Sequence, residues 1–256
     1  MIKFFRKIRQ KMLTENKFSK YLIYAIGEII LVVIGILIAL QVNNQNNISA
    51  EKQALKNYLG KIAQNINDDI EVGQFMLKSR TEQSALCANA TNLIANRDFS
   101  ENSQAIITNA FFAMIIEQSI NFNKSGFESL KNSGYLQYLD NSNVEKLIYN
   151  YYNTVDNILF EESSCQVWAN DLELELQKSG FFSEWLEFEN RPNQKLNEIL
   201  GNYTDILCEH KGNDIVLTLY FRGFLFDPYL TDWYKEQITL GKELLKAIEE
   251  YKNNKG

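Results

Sequence analysis

Ser142–Leu176, SNVEKLIYNYYNTVDNILFEESSCQVWANDLELEL, holds the clearest periodicity in the chain. Val144, Ile148, Tyr151, Val155, Ile158, Glu162, Cys165, Ala169, Leu172 and Leu176 follow one another at steps of four and three without a slip. Such spacing places them on one face of an α-helix, which must bury that face against other helices. Ser142 and Glu145 have the S-x-x-E spacing of a capping box and mark the start. Glu162 alone breaks the chemistry of the stripe. One reading puts it at the stripe's edge, reaching water; the other makes it a register-setting or partner-specifying polar group.

Working outward, the same logic covers most of the chain. Leu55, Leu59, Ile62, Ile66, Ile70, Gly73 and Leu77 form a second stripe that extends through Cys87, Leu93 and Ile94 to about residue 95. A shorter helix is expected over Gln104–Gln118, with Ile107, Ala110, Phe111, Met114 and Ile115 inward. Ser125 and Glu128 form another capping-box pattern, and Ser133-Gly134 reads as a break. Ile215–Phe226 (IVLTLYFRGFLF) is strand-like in composition but is also compatible with a buried helix. A last helix is expected from Tyr229 to Tyr251, with Tyr234, Ile238, Gly241, Leu245 and Ile248 inward. Only two prolines interrupt 256 residues, which favours long helices. The expected fold is all-α, an antiparallel bundle of long helices in one domain spanning residues 43–256.

Ahead of that domain stands Tyr21–Val42, YLIYAIGEIILVVIGILIALQV, long and apolar enough to cross a bilayer as one helix. Residues 1–20 hold seven basic groups and one acidic group. Beyond residue 42 there are 19 basic and 30 acidic residues, a net of −11. The charge bias predicts a cytoplasmic N-terminal tail and a C-terminal domain across the membrane. A cleaved signal peptide usually has a shorter apolar core and an A-x-A-like exit. Leu40-Gln41-Val42 offers none, so a retained signal anchor is the expectation.

KFSKYLIYAIGEIILVVIGILIALQVNN, with GFESLKNSGYLQYLDN and YNYY downstream, resembles an uncharacterised family of single-pass membrane proteins from Bacteroidetes-type bacteria. The resemblance implies a bacterial inner-membrane anchor and a periplasmic domain. It implies no activity and no catalytic residue.

Within the span, Glu28 is an ionisable group at a costly depth, which raises a functional contact. Snorkelling toward the interface, or simple protonation, explains it equally. Gly35 and Ala39 form a small-x-x-x-small pair that permits close helix approach. Steps of seven and eight residues put Gly27, Glu28, Gly35 and Ala39 on one side of the helix, a candidate contact face.

Elsewhere chemistry is sparse. His210 is the only histidine, which rules out a multi-His zinc site. Cys208-Glu209-His210 lacks the ligand count of a recognised metal motif, so no metal or cofactor is expected. Cys87 and Cys165 fall on apolar stripes and read as buried thiols. Phe181, Phe182, Trp185, Leu186 and Phe188 form an aromatic cluster that packs in the core or faces a partner. Asp68-Asp69 and Glu161-Glu162 read as solvated faces, because adjacent helical residues do not face each other. The acidic domain argues against nucleic acid as a partner. Without a catalytic motif, an enzyme is not expected. An interaction or scaffold protein is, using the bilayer and either a protein partner or self-association, with an accessory or sensory subunit of a transport or signalling complex as the alternative.

Overall fold

A computed structural model of the chain describes residues 10, 18–115, 120–140, 142–178, 180 and 212–254. The described residues are helical almost throughout, with no strand among them. The chain divides into two compact units, Met1–Lys56 and Asn57–Gly256. Helix α1 is Phe18–Ala95, α2 is Glu101–Ile115 and α3 is Ser125–Ser133. A 3-10 turn, Tyr135–Leu139, leads to α4, Asn143–Lys178. Helix α5, Gly212–Phe221, passes through a π-helical turn, Arg222–Phe226, into α6, Asp227–Asn254.

In the first unit, α1 carries the apolar stretch with its side chains outward. Ile23 is 71% exposed and Leu31 72%. An 18-residue window of this helix reaches a mean hydropathy of 2.7 with none of it buried. Length and composition suffice for a membrane crossing. The polar Asn43–Asn47 run does not break the helix.

In the second unit, α1 becomes amphipathic. Leu59, Ile62 and Ile66 are completely buried, while Lys61, Gln64 and Asn67 face outward. Past Gly73 the buried positions shift to Met76 and Arg80, and Leu77 is only half-buried. The buried positions Ile62, Ile66, Asp69, Gly73, Met76 and Arg80 keep alternating steps of four and three, whereas the stripe read through Ile70 takes two steps of four in succession and so reaches Leu77, one residue past the core face. In α6 Leu244 is the buried residue and Leu245 lies at the margin. Helix α1 ends in a Schellman motif. Arg97 takes the left-handed conformation (φ 52°), Asp98 N–H donates to the Leu93 carbonyl at 2.9 Å and Arg97 N–H to that of Ile94 at 3.0 Å.

Local sequence explains the other boundaries. The Ser142 hydroxyl accepts the Glu145 N–H at 3.1 Å, the expected cap of α4. At α3 the capping group is different. The Asn123 side chain, not Ser125, accepts the Ser125 N–H at 3.1 Å and its hydroxyl at 2.7 Å. Gly134, at φ 77°, supplies the left-handed residue that ends α3. All ten positions of the heptad in α4 are buried, and α4 packs along α6. A second core joins the end of α1 (Cys87, Ala90, Ile94) to α2, to Leu172 and Leu176 of α4, and to Ile215 and Leu219 of α5. Ile215–Phe226 is therefore helical, its strand-like composition overridden by burial among helices.

Candidate functional site

Glu162 does not reach water. It is 6% exposed, and Arg80 of α1 grips its carboxylate, with Nε donating to Oε1 at 3.2 Å and Nη2 to Oε2. The Tyr234 hydroxyl of α6 donates to Oε1 at 2.5 Å. Arg80 Nη1 also reaches Asp227 Oδ1 at 3.4 Å and Gln83 Oε1 at 3.2 Å. Asp227 in turn accepts from Arg222 Nε at 3.1 and 3.2 Å, and Arg222 Nη1 donates to the Met114 carbonyl and to Cys165 Sγ, each at 3.4 Å. Two guanidinium groups and two carboxylates thus form a charge-balanced chain inside the protein. Arg80, Arg222 and Asp227 are each 1% exposed or less. Isolated charges could not remain there, and paired, hydrogen-bonded ones can, with Arg80–Glu162 the bidentate pair.

Backbone geometry delivers these groups. The π-helical turn inserts its extra residue so that Arg222 and Asp227, five apart, meet on the inner side. Gly223 in that turn packs directly on α1. A Cβ there would lie 2.5 Å from the Ala88 backbone nitrogen, so only glycine fits. The Ser84 hydroxyl donates to the Gly223 carbonyl at 2.8 Å, pinning the two helices at this point.

A second polar cluster sits nearer the start of the domain. Asp69, read from the sequence as solvated, is 2% exposed, and only its neighbour Asp68 faces water. The stripe through Ile66 and Ile70 carries position 69 inward at step three. Asp69 Oδ1 accepts the Asn123 N–H at 2.8 Å and Oδ2 the Tyr151 hydroxyl at 3.3 Å. Gln237 Nε2 donates to the Tyr151 oxygen at 2.9 Å. Among the described residues no cation pairs with Asp69. Burial therefore pushes its carboxyl above the ordinary 3.8, against the lowering effect of the Asn123 and Tyr151 hydrogen bonds. Burial, with Asp69 nearby, also raises Tyr151 and Tyr152 far above the normal phenol range, so both are neutral.

The candidate membrane face lies on α1. Glu28 is half-buried, and Gly27, Gly35 and Ala39 are exposed. No side chain or distant backbone approaches within 4 Å of where a Cβ would sit on Gly27 or Gly35. Cys87 and Cys165 are buried thiols, as their stripes implied. Cys208, His210 and the aromatic cluster at Phe181–Phe188 lie outside the described residues. Among the described residues no three His, Cys, Asp or Glu side chains converge as metal ligands.

The ion network is what the sequence reading missed, although its signal was present. Arg80 takes a buried position in the α1 series Met76, Arg80, Cys87, just as Glu162 does in α4, and Arg222 interrupts an otherwise apolar run. Opposite charges at core positions of different helices are candidates for one another.

The chain matches no protein-family model, no curated protein and no solved structure.

Proposed function

We propose that this chain is a membrane-anchored interaction protein. Tyr21–Val42 is its single span, a retained signal anchor in a bacterial inner membrane. Residues 1–20 are cytoplasmic and the helical domain, an antiparallel bundle, is periplasmic. The observation that carries this reading is the exposed apolar surface of α1 over residues 29–42, with none of the helix's most hydrophobic window buried. Water does not tolerate such a surface; lipid or another helix does.

The contact with a partner, a second copy or a larger membrane protein, is assigned to Gly27, Glu28, Gly35 and Ala39. Their small residues allow backbones to approach, and a carboxylate at that depth is best tolerated against a polar group of another helix. A second reading makes the chain an accessory or sensory subunit of a transport or signalling complex. It is favoured by one fact: the same helix that contains the span also contributes Arg80 to the buried ion network.

In vivo cysteine crosslinking along residues 27 to 39 tests the assignment. Crosslinks should recur with helical periodicity on the Gly35 side and disappear with Gly35→Ile. Glu28→Leu should weaken them while leaving insertion intact. Weak, uniform crosslinking unaffected by Gly35→Ile would leave the span a plain anchor.

A further inference from the structure

A groove of about 630 Å³ opens on the outer side of the domain, between the last turns of α4 and the α5–π-turn segment. Its α4 wall presents Trp168, Asp171 and Glu175, and its other wall Leu217, Phe221 and Leu225. The two aromatic rings hold each other edge to face, Trp168 on Phe221 at 4.9 Å and 88°. Phe221 is backed in turn by a stacked Phe226 at 5.6 Å. Leu217 is 65% and Leu225 52% exposed, so the apolar surface is open rather than sealed into the core. The volume suits a small ligand rather than a single water or ion.

Charge narrows the ligand. Asp171 and Glu175 lie one helical turn apart on the same face as Trp168. Among the described residues no Lys or Arg lines the groove, and neither carboxylate is held in a salt bridge. Two like charges beside an exposed aromatic ring attract a cation, through Coulomb interaction and through the ring's negative face. The Leu217 and Leu225 side then needs an apolar body on that cation. The π-helical turn adds a functional hint, since such turns recur at binding sites. It places Arg222 in the ion network and Leu225 in the groove, three residues apart.

We propose that this groove binds a small organic cation, an ammonium group carried on an apolar body. The ammonium sits between Asp171, Glu175 and the Trp168 ring, and the apolar part lies along Leu217, Phe221 and Leu225. The site is independent of the membrane contact face and stands or falls separately from it.

The test uses the full-length chain in nanodiscs of zwitterionic lipid, titrated calorimetrically with 4-phenylbutylamine, 4-phenylbutanol and 4-phenylbutyrate. The amine should bind saturably at one site per chain, the alcohol roughly tenfold more weakly, and the carboxylate undetectably. The exposed double substitution Asp171→Asn/Glu175→Gln should weaken the amine about tenfold and leave the alcohol unchanged. Trp168→Leu should weaken both. Equal binding of amine and alcohol, or unchanged amine binding by the double variant, would overturn the assignment. So would failure of all three probes to bind. Binding of only a longer basic peptide would make the groove a protein-docking face and overturn the small-ligand assignment.

Discussion

Helix α1 contains two stretches that solve opposite problems. Over residues 21–42 it is apolar apart from Glu28 and Gln41, and exposes Ile30 by 52% and Leu37 by 58%. Over residues 55–95 its apolar residues fall on one stripe, and Leu59 and Ile62 have no exposure at all. The same backbone geometry serves both, and in the reading proposed above the difference lies in the solvent each stretch is built for. Lipid accepts an all-apolar cylinder, while water demands a polar face and a partner for the other. Ionisable groups follow the same division. In the second stretch Arg80 and Asp69 are buried in protein and answered by hydrogen bonds or ions. In the first, Glu28 is the single ionisable carboxylate.

The sharpest way to break this contrast is to leave a charge unanswered in the second stretch. Arg80→Ala removes the group shared by Glu162 and Asp227, and should cost about 3–5 kcal/mol in urea unfolding of the helical domain. Arg80→Met combined with Glu162→Leu removes one charge of each sign and should recover a good part of that loss. A double variant as unstable as Arg80→Ala would mean that packing, not charge balance, governs the network. Next in size is Gly223→Ala, which drives a methyl into the α1 backbone and should cost about 1–3 kcal/mol. Gly35→Ala, in the first stretch, should leave domain stability within about 0.5 kcal/mol.

Asp69 gives a subtler effect. Its carboxylate is buried without a cation, so its raised folded value works against folding when ionised. Stability from this group is fully present below the ordinary 3.8 and is lost as pH rises through the folded value. Asp69→Asn removes that dependence while keeping an acceptor for the Asn123 N–H. At neutral pH it should be neutral or slightly stabilising. Asp69→Ala leaves the Asn123 N–H without its acceptor and should cost about 1–3 kcal/mol. Urea midpoints for the three proteins at neutral pH and near pH 4 check the sign. Parallel curves for wild type and Asp69→Asn would remove Asp69 as the titrating group.

Much of this was legible from residue order alone. The α4 heptad named ten of that helix's twelve buried positions, missing Tyr152 and Thr154, and Ser142 named its cap, because both signals are written within one helix. Four kinds of feature escaped. The stripe drawn through Ile70 ran to Leu77, one residue past the buried Met76, and in α6 Leu245 stood one residue past the buried Leu244. Asp69 looked solvated because its burial depends on the loop at Asn123 and on Tyr151, 54 and 82 residues away. Ser125 lost its capping role to Asn123, two residues upstream. Glu162 looked marginal because its partners come from α1 and α6, and no local pattern pairs Arg80 with a residue 82 positions distant. The π-turn that brings Arg222 onto Asp227 is likewise set by the close approach of Gly223 to α1.

The central claim is that the two stretches of α1 belong to different solvents, and extraction tests it most directly. Membranes from cells producing the full-length chain are washed with alkaline carbonate, alongside a chain restricted to residues 49–256. The full-length protein should stay entirely in the membrane pellet. The shorter one should be soluble and show the circular dichroism of a helical protein. Full-length protein released into the carbonate supernatant would contradict the account, as would a residue 49–256 chain that stays with the membrane or lacks helix.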